Sequence, residues 1–188
     1  IPAGLVGAAI GVVPDVGFLE GSGIDAGGGV IVDRRLQSSS EGVFAAGDAA
    51  RIYDPVHGEH RVNTSWMGAQ RAGRIAGLNM AGGEEELPGS IAFNLINIYG
   101  LPVACLGLNL AEGQGYQSLS GDYPKGDVYK KYVLRGGRLV GATLIGDVAE
   151  ARTLEELITA GADLGGVKER LFEEGFDLRS AARELLGG

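Results

Sequence analysis

The sequence predicts an α/β segment followed by an α+β domain, and three observations carry that prediction. Short apolar runs at residues 5–13, 30–32 and 43–46, rich in valine, isoleucine and small side chains, read as buried strands. A helical pattern over residues 64–81 follows them, as an α/β unit requires. The charge run and breaker Glu84-Glu85-Glu86-Leu87-Pro88-Gly89 then separates this part from a series of strands that gives way to helices.

Taken in order, residues 5–13 (LVGAAIGVV) form the first buried strand, which stops at Pro14-Asp15; residues 18–23 make a turn or short helix. Gly27-Gly28-Gly29 leads into the strand Val30-Ile31-Val32, and Gly47-Asp48 stops the strand Val43-Phe44-Ala45-Ala46. Residues 51–62 are polar, carry both histidines and read as a loop. In the helix, Ala69, Ala72, Gly73, Ala76 and Met80 share one small-residue stripe able to approach a sheet closely, with Arg71, Arg74 and Asn79 on other faces. Asn63, Thr64 and Ser65 are each acceptable N-caps, and Gly82-Gly83 supplies the stop.

The expected division is 1–83, a linker at 84–90 with Glu84, Glu85 and Glu86 solvated, and a second domain at 91–188. Strands are expected at 91–98, 103–108 and 116–119. The clearest hairpin joins 128–135 to 138–145, because only Gly136-Gly137 separates the two strand-like runs. Helices are expected at 149–162, 167–174 and 178–186, the first amphipathic through Glu150, Leu154, Leu157 and Ile158.

Composition narrows the function classes. The 188 residues include 34 glycines, far above an average usage of about 7%, with no collagen period and few prolines. A net charge of −8 and no basic cluster argue against nucleic acid and anionic membranes as partners. No apolar run approaches the ~18 residues of a membrane span. The lone Cys105 leaves no internal disulfide or CxxC metal site, which suits a reducing, cytoplasmic compartment. Inert burial is the simplest role for it. His57 and His60 form a His-x-x-His pair without further ligands, so no metal site is assigned, and Lys130 and Lys131 point to opposite faces of a strand.

The chemistry-bearing segment is residues 38–50, SSSEGVFAAGDAA. A buried strand would bring Asp48 to its carboxyl end, where open α/β sheets bind ligands, and Gly47 would allow close approach. Alone, Gly-Asp is an ordinary turn. In context, Ser40-x-x-Val43-Phe44-Ala45-Ala46-Gly47-Asp48 resembles the second FAD-binding motif of the pyridine nucleotide-disulfide oxidoreductase superfamily. Ile10-Gly11-Val12-Val13-Pro14-Asp15 resembles the strand and turn by which that family returns from its NAD domain to its FAD domain. Residues 23–33 resemble the small hairpin before the motif, and 70–82 the helix after it. Further on, Ile98-Tyr99-Gly100-Leu101-Pro102-Val103, Val128-Tyr129-Lys130-Lys131-Tyr132-Val133-Leu134 and residues 139–147 resemble the C-terminal domain of NADH-dependent reductases. These are the rubredoxin reductase, nitrite reductase flavin-domain and NADH oxidase types.

The resemblance implies part of a Rossmann-like FAD/NAD(P)-binding domain followed by an α+β interface or dimerisation domain. It implies FAD as cofactor, NAD(P)H as substrate and an unidentified acceptor, among them a redox protein. Asp48 would hydrogen-bond the FAD ribitol, with Gly47 and Ala49 packed close. The first turn of the helix, at Ser65, Trp66 and Met67, would meet the flavin pyrimidine edge. Trp66 as a core or interface aromatic and Met67 as a packing residue are the plainer alternatives. No catalytic residue is assigned: the His-Pro-Thr segment of glutathione-reductase-type enzymes has no counterpart, since no histidine follows His60. No G-x-G-x-x-G opening a helix occurs either; Gly21-x-Gly23 and Gly27-Gly28-Gly29 precede a strand. The chain is therefore expected to be the C-terminal portion of a longer flavoprotein, inactive alone. A non-catalytic interaction domain, including a homodimer interface, and a flavin-free scaffold are the alternatives.

Overall fold

The computed structural model describes residues 1–122, 128–173 and 175–187. The expected helix at 167–174 and the domain end at 188 therefore each run one residue outside the described residues.

Two sheets with separate hydrophobic clusters organise the chain. In the first, β1 (Val30–Ile31) runs parallel to β2 (Ala50–Asp54), which turns back on β3 (Glu59–Arg61). Helix α1 (Trp66–Met80) buries Ala72, Ile75 and Ala76 in a cluster with Val30, Val32, Leu36, Ala50 and Ile52. The second sheet is antiparallel, in the order β4 (Phe93–Ile98), β5 (Leu101–Gly107), β8 (Arg138–Ile145), β7 (Tyr129–Arg135), β6 (Tyr116–Asp122). Its Gly136-Gly137 turn has both φ values positive, 58° and 83°, as a two-residue hairpin favours. One sheet face, with Ala104, Leu106, Tyr132, Ala142 and Leu144 buried, is covered by Leu154, Leu157 and Ile158 of α2 (Ala151–Ala160). Helix α3 (Leu178–Leu185) packs on α2. Its N-cap Asp177 has a pKa held below the usual carboxylate value, first by the Ser180 hydroxyl and then by the Arg179 N–H.

Several expectations need correction. Residues 5–13 form no strand and lie exposed, Ile10 at 96%. A buried strand needs neighbours to take its backbone hydrogen bonds, and among the described residues none lies alongside. Residues 43–46 make a single antiparallel bridge, Gln37 to Phe44, instead of a strand. The hairpin matched to 23–33 reduces to two backbone bonds, Gly29 N–H to the Ala26 carbonyl at 3.1 Å and Ile31 N–H to the Asp25 carbonyl at 3.3 Å, and the ladder of β1 is with β2. The expected loop at 51–62 contains β2 and β3; their polar side chains hid the pairing. Among the described residues 167–173, the helical part is the 3₁₀ turn Lys168–Arg170. Most of the other expected boundaries that differ do so by a residue or two, as fraying ends do, and the strand expected at 116–119 runs on to Asp122.

The helix stripe is also rotated. Asn79 is buried while Gly73 and Met80 are exposed. The Asn79 amide donates to the carbonyls of Arg35 and Glu85, each at 2.8 Å, and accepts the Glu85 N–H at 2.8 Å. Glu84, Glu85 and Glu86 are exposed as expected, but the linker is strapped down: Leu87 is buried, its N–H bonds the Arg34 carbonyl at 2.8 Å, and Ser90 N–H bonds the Tyr53 carbonyl at 2.9 Å. Asn79→Ala strands three backbone groups and is expected to cost about 1–3 kcal/mol in chemical denaturation, with proteolysis at 84–90 accelerated.

Candidate functional site

Asp48 sits in a 3₁₀ turn, Gly47–Ala49, that follows extended Ala46 and feeds directly into β2. Gly47 has φ +70°, and a Cβ built on it would lie 3.6 Å from the Ala69 Cβ of α1. The turn therefore rests on the first half of the helix, in a backbone conformation that a side chain would strain. Ala49 is half-buried beneath it. The Asp48 carboxylate is exposed and has no hydrogen bond or ion pair among the described residues.

At the adjoining end of α1, Ser65 is the N-cap: its Oγ accepts the Gly68 N–H at 3.2 Å, and its carbonyl accepts the Ala69 N–H at 2.8 Å. The N–H groups of Trp66 and Met67 then have no acceptor within the helix. With no acidic residue in the first turn, this end carries about half an uncompensated positive charge. The Trp66 side chain is 80% exposed, which removes a core role for it, and Met67 is partly exposed. Gly47, Asp48, Ala49, Ser65, Trp66 and Met67 thus fall on two elements in contact: an acceptor on one, donors on the other.

Residues that the sequence did not assign to the site support this corner. Asp54, 1% exposed, accepts the N–H groups of Val56 and His57 at 2.9 and 3.2 Å and lies 3.0 Å from His57 Nδ1. Asn63 donates to Asp54 at 3.3 Å and to the Ser90 carbonyl at 2.7 Å. Arg71 of α1 reaches Glu155 of α2 at 3.3 Å, and Arg135 donates to the Val56 carbonyl at 2.7 Å. The Asp54-Pro55 turn dipeptide was the one available sign of this network.

The remaining residues weighed in the sequence have the following surroundings. His60 meets the Tyr53 ring edge-on at 5.8 Å, and no group of three or more metal-ligating side chains occurs among the described residues. Cys105 is half-buried on β5, opposite Asn94 and Thr143. Lys130 pairs with Glu150 at 2.6 Å, whereas Lys131 faces Glu112 at 3.9 Å. No helix among the described residues is long and apolar enough to cross a membrane.

Two family models match the chain in tandem. Residues 1–74 match the pyridine nucleotide-disulphide oxidoreductase model, and residues 93–162 match the rubredoxin NAD+ reductase C-terminal domain. The chain belongs to the pyridine nucleotide-disulfide oxidoreductase superfamily. Within this superfamily of NAD(P)H-dependent flavin oxidoreductases, it is 28% identical over 173 residues to the NADH-dependent phenylglyoxylate dehydrogenase subunit epsilon of Aromatoleum evansii. That match covers 90% of this chain and 41% of the relative. It is 32% identical over 181 residues to the pyridine nucleotide-disulfide oxidoreductase domain-containing protein 1 of Danio rerio, covering 91% and 37%. Among solved structures, the covalent putidaredoxin reductase–putidaredoxin complex shares the fold at TM-score 0.77 and 19% identity, over 100% of this chain and 44% of that one. The chain thus spans 41% and 37% of the length of those two curated relatives.

Proposed function

We propose that this chain supplies the isoalloxazine end of an FAD site in an oxidoreductase that takes electrons from NAD(P)H and passes them to an acceptor. The observation that carries this is the juxtaposition of an exposed, unpaired Asp48 carboxylate with the uncapped Trp66 and Met67 amides of α1. Such a pair fits a polyol beside a heteroaromatic ring that gains negative charge when reduced. Residues 1–83 are proposed as the FAD-domain part, 84–90 as the connection and 91–188 as the interface domain.

When bound, FAD supplies a hydride acceptor at its N5. Asp48 accepts hydrogen bonds from ribitol hydroxyls, and Gly47 leaves the approach open. The amides of Trp66 and Met67 donate toward the N1–O2 edge, where reduction places charge, and the exposed indole of Trp66 shields that edge from water. The sequence relationship to an NADH-dependent relative supports the nicotinamide donor. The match to a domain described for rubredoxin reductases supports a small redox protein as acceptor. A second copy of the chain is the other proposed partner: Ile96 and Ile98 of β4 are exposed on the same sheet face as half-buried Leu101 and Val103 of β5.

The test is cofactor analysis of the full-length protein. FAD released on denaturation is the expected result; a protein that neither carries nor takes up flavin refutes the proposal.

A further inference from the structure

The cap of α1 does more than close the helix. Ser65 is 6% exposed and uses both halves of its hydroxyl: it accepts the Gly68 N–H at 3.2 Å and donates to the Phe93 carbonyl at 2.7 Å. Phe93 opens β4, so the proton of the cap is spent on the edge strand of the other sheet. Two residues earlier, Asn63 donates to the Ser90 carbonyl at 2.7 Å and to buried Asp54 at 3.3 Å. An N-cap needs only an acceptor, so neither the Phe93 bond nor the Asn63 bonds serve capping. The Phe93 bond and the Asn63–Ser90 bond flank the start of α1 and land on the segment 90–93, while the Asn63–Asp54 bond ties the same start to the end of β2.

We infer that Ser65, backed by Asn63, is a positioning residue for the flavin: it bolts the start of α1 to β4 and so sets where the Trp66 and Met67 amides point. This rests on the reading of Asp48 and α1 as the flavin site. With its one proton given to the Phe93 carbonyl, the Ser65 hydroxyl has no donor to offer the flavin N1–O2 edge. The effect should appear as a difference between the two redox states of the cofactor. Amides aimed at the N1–O2 edge favour the reduced form, in which that edge is negative, and slack in the bolt weakens the preference.

The test compares wild type, Ser65→Ala, Ser65→Thr and Asn63→Ala in the full-length, FAD-loaded protein. The readouts are the FAD dissociation constant in each redox state, the flavin midpoint potential and the denaturation midpoint. Ser65→Ala is expected to weaken reduced-state binding by about three- to tenfold more than oxidised-state binding, lowering the potential. Ser65→Thr, which keeps the hydroxyl, restores the wild-type ratio. Asn63→Ala leaves the cap intact and should shift the ratio in the same direction, which keeps the test valid if Ser65→Ala fails to fold. Variants that lose stability while both affinities and the potential match wild type overturn the inference and leave Ser65 a purely structural cap. A wild-type protein that binds no FAD overturns instead the assignment of the flavin site on which it rests.

Discussion

Asp48→Ala is expected to weaken FAD binding by about 10- to 100-fold, because a hydrogen bond to a charged acceptor contributes about 1.5–3 kcal/mol and each 1.4 kcal/mol is tenfold in affinity. The loss should be confined to binding. The carboxylate is exposed and has no internal partner among the described residues, so its removal should leave unfolding free energy within about 0.5 kcal/mol of wild type. Asp48→Asn keeps one acceptor oxygen without the charge and should fall between the two. Titration of the apoprotein with FAD, followed by flavin fluorescence, gives the three dissociation constants. Equal affinity for wild type and Asp48→Ala would remove Asp48 from the site.

A large stability effect is expected at Gly141, in the middle of the five-stranded sheet. It pairs with Gly107 on one side and Val133 on the other. A Cβ built there would lie 2.4 Å from the Leu108 carbonyl carbon and 2.6 Å from both the Leu108 oxygen and the Asn109 nitrogen. All three are backbone atoms, so no rotamer change relieves the clash; β5 and the chain beyond it must shift as a unit. Gly141→Ala is expected to cost about 3 kcal/mol or more. Gly166→Ala is the control: its Cβ would meet nothing within 4 Å, and the change should stay within about 0.5 kcal/mol. Denaturant titration of both variants decides the matter, and a Gly141→Ala midpoint equal to that of Gly166→Ala would contradict the packing described here.

What the sequence made legible was whatever depends on local pattern. Two strand-like runs separated only by Gly136-Gly137 located the β7–β8 hairpin, and Leu154, Leu157 and Ile158 at helical spacing located the buried face of α2. The VFAAGD string suggested that Asp48 ends a buried strand; the structure has it instead in the turn Gly47–Ala49, after a single bridge at Phe44 and before β2. Features that depend on distant partners stayed hidden. Residues 5–13 carry the composition of a buried strand, yet burial requires strands to lie against, and composition reports only the need. The small-residue stripe of α1 suggested a face through Gly73 and Met80, whereas Ile75 and the amide of Asn79 decide which side is buried. Glutamates 84–86 read as solvated because they are; Leu87 and the backbone bonds that hold the segment down leave almost no trace in composition. Ser65 was visible as a cap, but its second bond, to a carbonyl in the next sheet, was not.

The most direct measurement of the central claim is anaerobic addition of NADH or NADPH to the purified full-length protein while its visible spectrum is followed. Bound FAD whose absorbance is bleached by the reduced nicotinamide, and restored by an added electron acceptor, is the result expected from the Asp48–α1 corner as a flavin site. A colourless protein that takes up no added FAD, or a bound flavin that neither nicotinamide reduces, would contradict it.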